Sequence, residues 1–273
     1  MLADPSKLKL GGTQYQVTVL FSDLEGFTTL AEHLGPSALS AQLSEYFREM
    51  LDVLPPQRRT LDKLIGDAIM MYFGCPITDE RHAHQACHGA LAMQERMTTV
   101  NARLHARGLP ALKTRIGVNS GTVVAGYMGT DTIFNYTILG DAVNLASRLE
   151  CVNKIYDTRI IVGEDTWRRV REAFEGRELD WIRVKGKTKP VAIHELWSET
   201  GRLPESASQL RSSYAPGLVH YRAGRFAEAL VAFEEALAIR TTDGPSLVMV
   251  ERCRRMRMYP PANWDGVWTM QEK

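Results

Sequence analysis

The chain has 273 residues, 44% of them hydrophobic and 24% charged, with a formal net charge of +1. These proportions belong to globular chains, exclude disordered or fibrous classes, and leave room for one core of ordinary size plus a smaller unit. With almost no net charge there is no overall field to hold nucleic acid or an anionic membrane, so no nucleic-acid partner is expected and any phosphate chemistry must come from local groups. No stretch approaches the ~20 apolar residues of a membrane helix, and the N-terminus carries no apolar signal core, so a cytoplasmic chain is expected, whether alone or as the soluble part of a larger membrane-anchored protein. Cys75, Cys87, Cys151 and Cys253 form no C-x-x-C pair, which points to free thiols rather than zinc or disulfides.

In chain order, the β-branched run Tyr15 to Phe21 reads as a strand ending at Ser22-Asp23. A glycine-containing turn leads from it into a helical pattern from Thr28 to Leu54. After Pro55-Pro56, the apolar runs Thr60 to Ile65 and Ala68 to Phe73 flank Gly66-Asp67 and read as a hairpin. Helical periodicity from Arg81 to Ala106 keeps Ala83, Ala86, Ala90, Met93 and Met97 on one face. Strands are expected at Leu112 to Val118, in the glycine-punctuated run Gly121 to Gly129, and at Tyr136 to Leu139, followed by a helix from Asp141 to Val152. Further strands are expected at Arg159 to Val162, Leu179 to Val184 and Ile193 to Trp197, so helices should pack on a sheet. Composition turns polar at Ser198, which places a boundary there and divides the chain into 14–198 and 199–273. Tyr214 to Arg240 reads as two helices broken at Ala223-Gly224-Arg225. Its Gly224, Phe226, Ala229, Leu230, Phe233, Ala236 and Leu237 resemble the second half of a tetratricopeptide repeat, and such a pair needs a surface to dock on.

Asp23 follows a strand and Asp67 sits in a hairpin turn, so the two can converge across neighbouring strands and hold Mg²⁺, which prefers oxygen ligands. Either alone would be an ordinary N-cap or turn residue. Leu24 to Thr28 then opens a helix, whose first-turn amides suit phosphate, and Gly26 permits close approach. Taking Asp141 as an N-cap, Asn144 and Arg148 lie four apart on one helical face, an amide and a guanidinium able to orient a ribose and stabilise phosphate charge. Arg252, Arg254, Arg255 and Arg257 read as a solvated helix face, His82 and His84 as surface residues, and Trp264 and Trp268 as pins for the tail.

The runs FSDLEGFTTLAE (21–32), DKLIGDAIMMYFG (62–74), RIGVNSGTVVAGYMG (115–129), YTILGDAVNLASRLE (136–150) and VKGKTKPVAIHEL (184–196) stand in the order found in class III adenylyl and guanylyl cyclases. The chain resembles that family from about residue 15 to 198. The resemblance implies an α+β fold, a ferredoxin-like, palm-type βαββαβ sheet with helices on one face, here with a small C-terminal α-helical extension. It implies two Mg²⁺ (or Mn²⁺) per active site on Asp23 and Asp67, with the Leu24 carbonyl as a further ligand and Glu25, Gly26, Phe27 and Thr28 cradling the triphosphate. Lys63 and Thr137 match the base-selecting pair, as in the bacterial Lys/Thr subgroup. Asn144 matches the ribose-orienting asparagine, Arg148 the transition-state arginine, and Lys185 or Lys187 the lysine that neutralises polyphosphate. The expected reaction converts ATP to cyclic AMP and pyrophosphate in a homodimer with shared sites. A guanylyl cyclase and a catalytically silent nucleotide-binding dimerisation module are the alternatives. A regulatory protein or upstream sensor acting through the C-terminal helices is a further expected partner. The chain departs from the family at Arg58-Arg59, where a glycine pair is usual before the hairpin.

Chemistry also favours ATP: a lysine donor suits adenine N1, a threonine oxygen accepts from the 6-amino group, and guanine presents the opposite pattern.

Overall fold

The computed structural model describes residues 11–130, 132–184 and 188–270. The described residues form two compact units, one of those up to 147 apart from 115–117, the other of 115–117 and those from 148 onward.

In the first unit β1 (Gly11–Glu25) is followed by α1 (Phe27–His33) and α2 (Pro36–Asp52), then by the hairpin of β2 (Thr60–Ile65) and β3 (Ala68–Phe73). Next come α3 (His82–Ala106), β4 (Lys113–Gly129) and β5 (Phe134–Leu139). The strand order is β2-β3-β1-β4, with β5 on β4, so β1 and β3 are central and the βαββαβ order expected of a palm sheet is present. Helix α3 packs on β1, β3 and α2, and all five apolar positions expected to share its inner face are buried. The expected helix from Thr28 is two helices, because Pro36 cannot continue an i→i−4 ladder and instead starts α2. The two strands expected between Leu112 and Gly129 are one continuous strand.

His82 corrects the sequence reading: it is 3% exposed, and its Nδ1 lies 2.6 Å from the Thr18 hydroxyl. That hydroxyl also meets Ser120 Oγ at 2.7 Å, so the buried Thr18 hydroxyl is satisfied by one partner from a helix and one from a strand. Arg58-Arg59 acquires a role as well. Pro56–Arg58 forms a 3₁₀ turn, and Arg59 donates to the Leu51 and Leu54 carbonyls at 2.9 and 3.3 Å, capping the end of α2 where glycines could not.

The second unit contains most of α4 (Asp141–Tyr156), then β6 (Ile160–Gly163), α5 (Glu164–Val170), β7 (Phe174–Arg183) and β8 (Val191–Glu199). Three helices follow, α6 (Glu205–Arg222), α7 (Phe226–Ile239) and α8 (Gly244–Met258), and then a short β9 (Trp268–Thr269). Residues 115–117 lead the order β6-β8-β7-β9. Helices α6 and α7 meet at the expected break, and Gly217 allows contact so close that a Cβ there would lie 2.6 Å from the Phe233 ring.

The surface these helices dock on is β7. The Tyr214 hydroxyl donates to the Leu179 carbonyl at 2.9 Å, and Arg177 forks onto Asp243, the residue that caps α8. Arg252, expected on a solvated face, is instead 6% exposed, because Asp180 and the Tyr156 hydroxyl draw it inward at 2.6 and 3.0 Å and Trp268 stacks on it. Trp264 donates to the Tyr221 carbonyl at 2.9 Å and packs on Phe226, so both C-terminal tryptophans have partners in this unit.

Removing one partner of a buried ion pair strands the other charge away from water. Arg252→Ala should therefore cost about 3–5 kcal/mol. Arg254→Ala on the exposed face of the same helix should change stability by no more than about 0.5 kcal/mol. Urea denaturation of the two variants beside the parent checks the difference.

Candidate active site

Backbone pairing brings the two aspartates together. β1 and β3 run antiparallel in a register that pairs Ser22 with Ile69, and two further steps along that ladder bring Leu24 level with Asp67. Gly66, at φ 63, supplies the left-handed residue that the β2–β3 turn needs just before Asp67. Asp67 receives the Leu24 amide, and its carboxyl group is in hydrogen-bond contact with that of Asp23. Burial first, and the Asp23 charge second, raise the Asp67 carboxyl above its ordinary value. Beneath them Tyr46 is fully buried, with its hydroxyl 3.5 Å from that of Thr114. Burial pushes its phenol up to about 12, and the charges of Asp23 and Asp67 add to the effect.

Two carboxylates pressed together are a cost that a hard divalent cation removes, and oxygen donors are what Mg²⁺ or Mn²⁺ takes. The residues present therefore fit such ions. The protein's share is small, since no group of three or more Asp, Glu, His or Cys side chains suited to a metal occurs among the described residues. A set of two carboxylates and a carbonyl leaves positions for substrate oxygens.

The chain after Asp23 turns sharply. Gly26 has φ 84, α1 starts at Phe27, and the Leu30 amide bonds to the Gly26 carbonyl at 3.0 Å. Helix geometry leaves first-turn amides such as those of Phe27 and Thr28 without partners inside the helix. Glu25 lies 3.7 Å from the Lys113 ammonium.

A second cluster lies where β2 meets β5. Lys63 Nζ is 3.4 Å from Thr137 Oγ1, and both touch Asp62, which the sequence reading overlooked. The Thr137 hydroxyl donates to Asp62 Oδ2 at 2.7 Å, and Lys63 Nζ lies 3.0 Å from Asp62 Oδ1. The Asp62 side chain is wholly buried while that of Lys63 is 44% exposed. The signal that could have found Asp62 is its position beside Lys63 in DKLIGD.

Helix α4 carries Asn144 and Arg148 one turn apart, Asn144 exposed and Arg148 half-buried, on a helix whose opposite face buries Ala142, Leu145, Ala146 and Leu149. Asp141 is the first helical residue rather than the cap, because the Val143 and Asn144 amides bond to the Gly140 carbonyl at 3.2 and 3.5 Å. Lys185 and Lys187 lie outside the described residues.

The Adenylate and Guanylate cyclase catalytic domain family matches residues 12–196. This chain belongs to that family. It is 36% identical over 181 residues to Adenylate cyclase 1 of Rhizobium meliloti (strain 1021), a match covering 66% of this chain and 27% of that protein. The chain thus spans well under half the length of that curated relative. Among solved structures, the adenylyl cyclase CyaB from P. aeruginosa is similar with a TM-score of 0.65 and 33% identity, covering 71% of this chain and 100% of that one. The guanylyl cyclase Cya2 is similar with a TM-score of 0.65 and 31% identity, covering 71% and 97%. The mixed α+β fold with its palm sheet is the one these structures share. The family uses divalent metal, in keeping with the paired aspartates.

Because the folded state holds the Asp67 carboxyl above its unfolded value, its contribution is favourable below the ordinary carboxylate range and is lost as pH rises through the raised value. At neutral pH in chelator, Asp67→Asn should therefore melt no lower than the parent. Mg²⁺ should raise the melting temperature of the parent and leave the variant unmoved. Thermal melts with and without Mg²⁺ read both effects.

Proposed function

We propose that this chain is the catalytic part of an adenylyl cyclase, converting ATP to 3′,5′-cyclic AMP and pyrophosphate at a homodimer interface. Similarity to CyaB and to Cya2 is equal by TM-score, so the fold leaves the base open. The observation that carries the reading is the contact of Lys63 with Thr137, which sets a cation donor beside a hydroxyl oxygen. The donor suits adenine N1 and the oxygen suits the 6-amino group, as in the Lys/Thr subgroup of bacterial family members. A guanylyl enzyme would want an acceptor where Lys63 stands.

In this reading Asp23, Asp67 and the Leu24 carbonyl hold two Mg²⁺ or Mn²⁺ ions. When bound, those ions would ease loss of the ribose 3′-hydroxyl proton and offset phosphate charge. The amides of the segment from Glu25 to Thr28, with Gly26 and Phe27 between, take the triphosphate, and Lys185 or Lys187 neutralises it. A second copy supplies Lys63 and Thr137 to the base, Asn144 to the ribose and Arg148 to the α-phosphate. The 3′-oxygen forms the new bond to the α-phosphorus in line with the departing pyrophosphate, and Arg148 stabilises the charge that grows between them. We assign 14–198 to catalysis and 199–273 to a tetratricopeptide-like extension through which a regulatory protein or sensor acts. The reaction assigns the chain to the cytoplasm, where ATP is available; no helix among the described residues is long and apolar enough to cross a membrane.

Purified protein incubated with ATP or GTP and either cation should yield cyclic AMP from ATP, identified by its mass. Arg148→Ala should lower kcat by about 10²–10³-fold with little change in KM. Asp23→Ala and Arg148→Ala should each keep little activity, and mixing them should restore about a quarter of the parental level, since half the dimers are then mixed and each has one intact site. No recovery from variants that still dimerise sinks the shared-site arrangement.

A further inference from the structure

Lys63 and its neighbour Asp62 would point to opposite faces of a regular strand. They do not, because β2 carries a bulge: Leu61 pairs with Met71 and Lys63 with Met70, leaving Asp62 as the extra residue. The bulge re-aims one side chain so that both reach Thr137. A carboxylate only accepts and an ammonium only donates, and this settles the protons of the cluster. The Thr137 hydroxyl hydrogen is committed to Asp62 Oδ2 at 2.7 Å, while Lys63 Nζ approaches the Thr137 oxygen at 3.4 Å. One lone pair of Thr137 is left for an incoming base. Lys63 gives one N–H to Thr137 and meets Asp62 Oδ1, which makes no hydrogen bond, as a charge alone at 3.0 Å, so it keeps an N–H for the base. The pair can therefore offer a base one donor, from lysine, and one acceptor, from threonine.

We infer that Asp62 is a specificity-determining positioning residue that makes the base-selecting threonine an acceptor only. A free hydroxyl is ambivalent: it can accept from the 6-amino group of adenine or donate to O6 of guanine. A hydroxyl held by a buried carboxylate has lost the second option, so guanine meets a lone pair where it needs a proton. Asparagine at position 62 would reverse the polarity, since its amide can donate to Thr137 Oγ1 and release the hydroxyl proton toward the base. The inference rests on the adenylyl cyclase reading and adds to it a residue that does not itself touch the base.

The measurement is the ratio of kcat/KM for ATP to kcat/KM for GTP, which a general loss of folded enzyme leaves unchanged. Asp62→Asn should lower that ratio about tenfold, the size of one misdirected hydrogen bond. Asp62→Glu, which keeps an acceptor-only group, should hold it near the parental value. In a Thr137→Val background, Asp62→Asn should leave the ratio where Thr137→Val alone puts it, because the hydroxyl through which Asp62 acts is gone. Equal loss toward both nucleotides in Asp62→Asn, or an unchanged effect in the valine background, overturns the inference. A parent enzyme that prefers GTP, or turns over neither nucleotide, overturns the adenylyl reading and this inference with it. A parent that prefers ATP with a ratio indifferent to Asp62→Asn overturns the inference alone.

Discussion

Two carboxyl groups in contact have to be held there by something stronger than their repulsion, and in this protein it is the pairing of β1 with β3. Both strands are central in the first unit, and Val17, Val19, Leu20, Ile69, Met71 and Tyr72 are fully buried along them. Neighbours such as Val19 and Leu20, or Met71 and Tyr72, point to opposite faces and are all buried, so a slip of one residue would exchange side chains fitted to one packed layer with those fitted to the other, and close packing holds the register. The same register carries Asp23 and Asp67 to the ends of their strands and no further. A cation held between the two carboxyl groups would relieve the repulsion that the register imposes.

The β2–β3 hairpin serves two clusters at once. Its turn ends in Asp67, and its first strand carries Asp62 and Lys63 to Thr137 on β5. A regular hairpin could have satisfied the turn without the bulge, but only one of the two charged side chains would then have faced β5. The bulge gives up one ladder position and gains a three-residue arrangement in which a buried carboxylate accepts from a hydroxyl and has an ammonium beside it as counter-charge. Such a network is stable because each member has a charged or hydrogen-bonding partner, and it is directional because two of the three can act in one sense only.

The elements that sequence shows most clearly are those whose own residues decide them. The hairpin from Thr60 to Phe73 lies where its apolar runs end, and the inner face of α3 is the one its periodicity draws. What sequence hides is partnership across distance. His82 looks like a surface residue until Thr18, on a strand 64 positions earlier, is found against its ring. Arg252 looks solvated within its own basic helix, and only Asp180, 72 positions away, explains its burial. Asp62 is passed over for a subtler reason. Strand alternation assigns it away from Lys63, and a bulge is a feature of pairing that no single strand displays.

The C-terminal helices are joined to β7 by charge as well as by packing. Asp243 accepts the Ser246 amide as the cap of α8 and at the same time receives both arms of Arg177, whose guanidinium holds it below the ordinary carboxylate value against the effect of burial. Lifting α8 from β7 would take from Asp243 its charged partner and leave Arg177 with Glu195 alone, whereas an apolar contact would let the helix slide with little penalty. Arg252, one face further along α8, bonds to Tyr156 at the last residue of α4. Tyr156 lies about two turns beyond Arg148 on the same helix. The end of the helix that carries Arg148 is thus tied to α8 by a buried guanidinium shared between a phenol and a carboxylate.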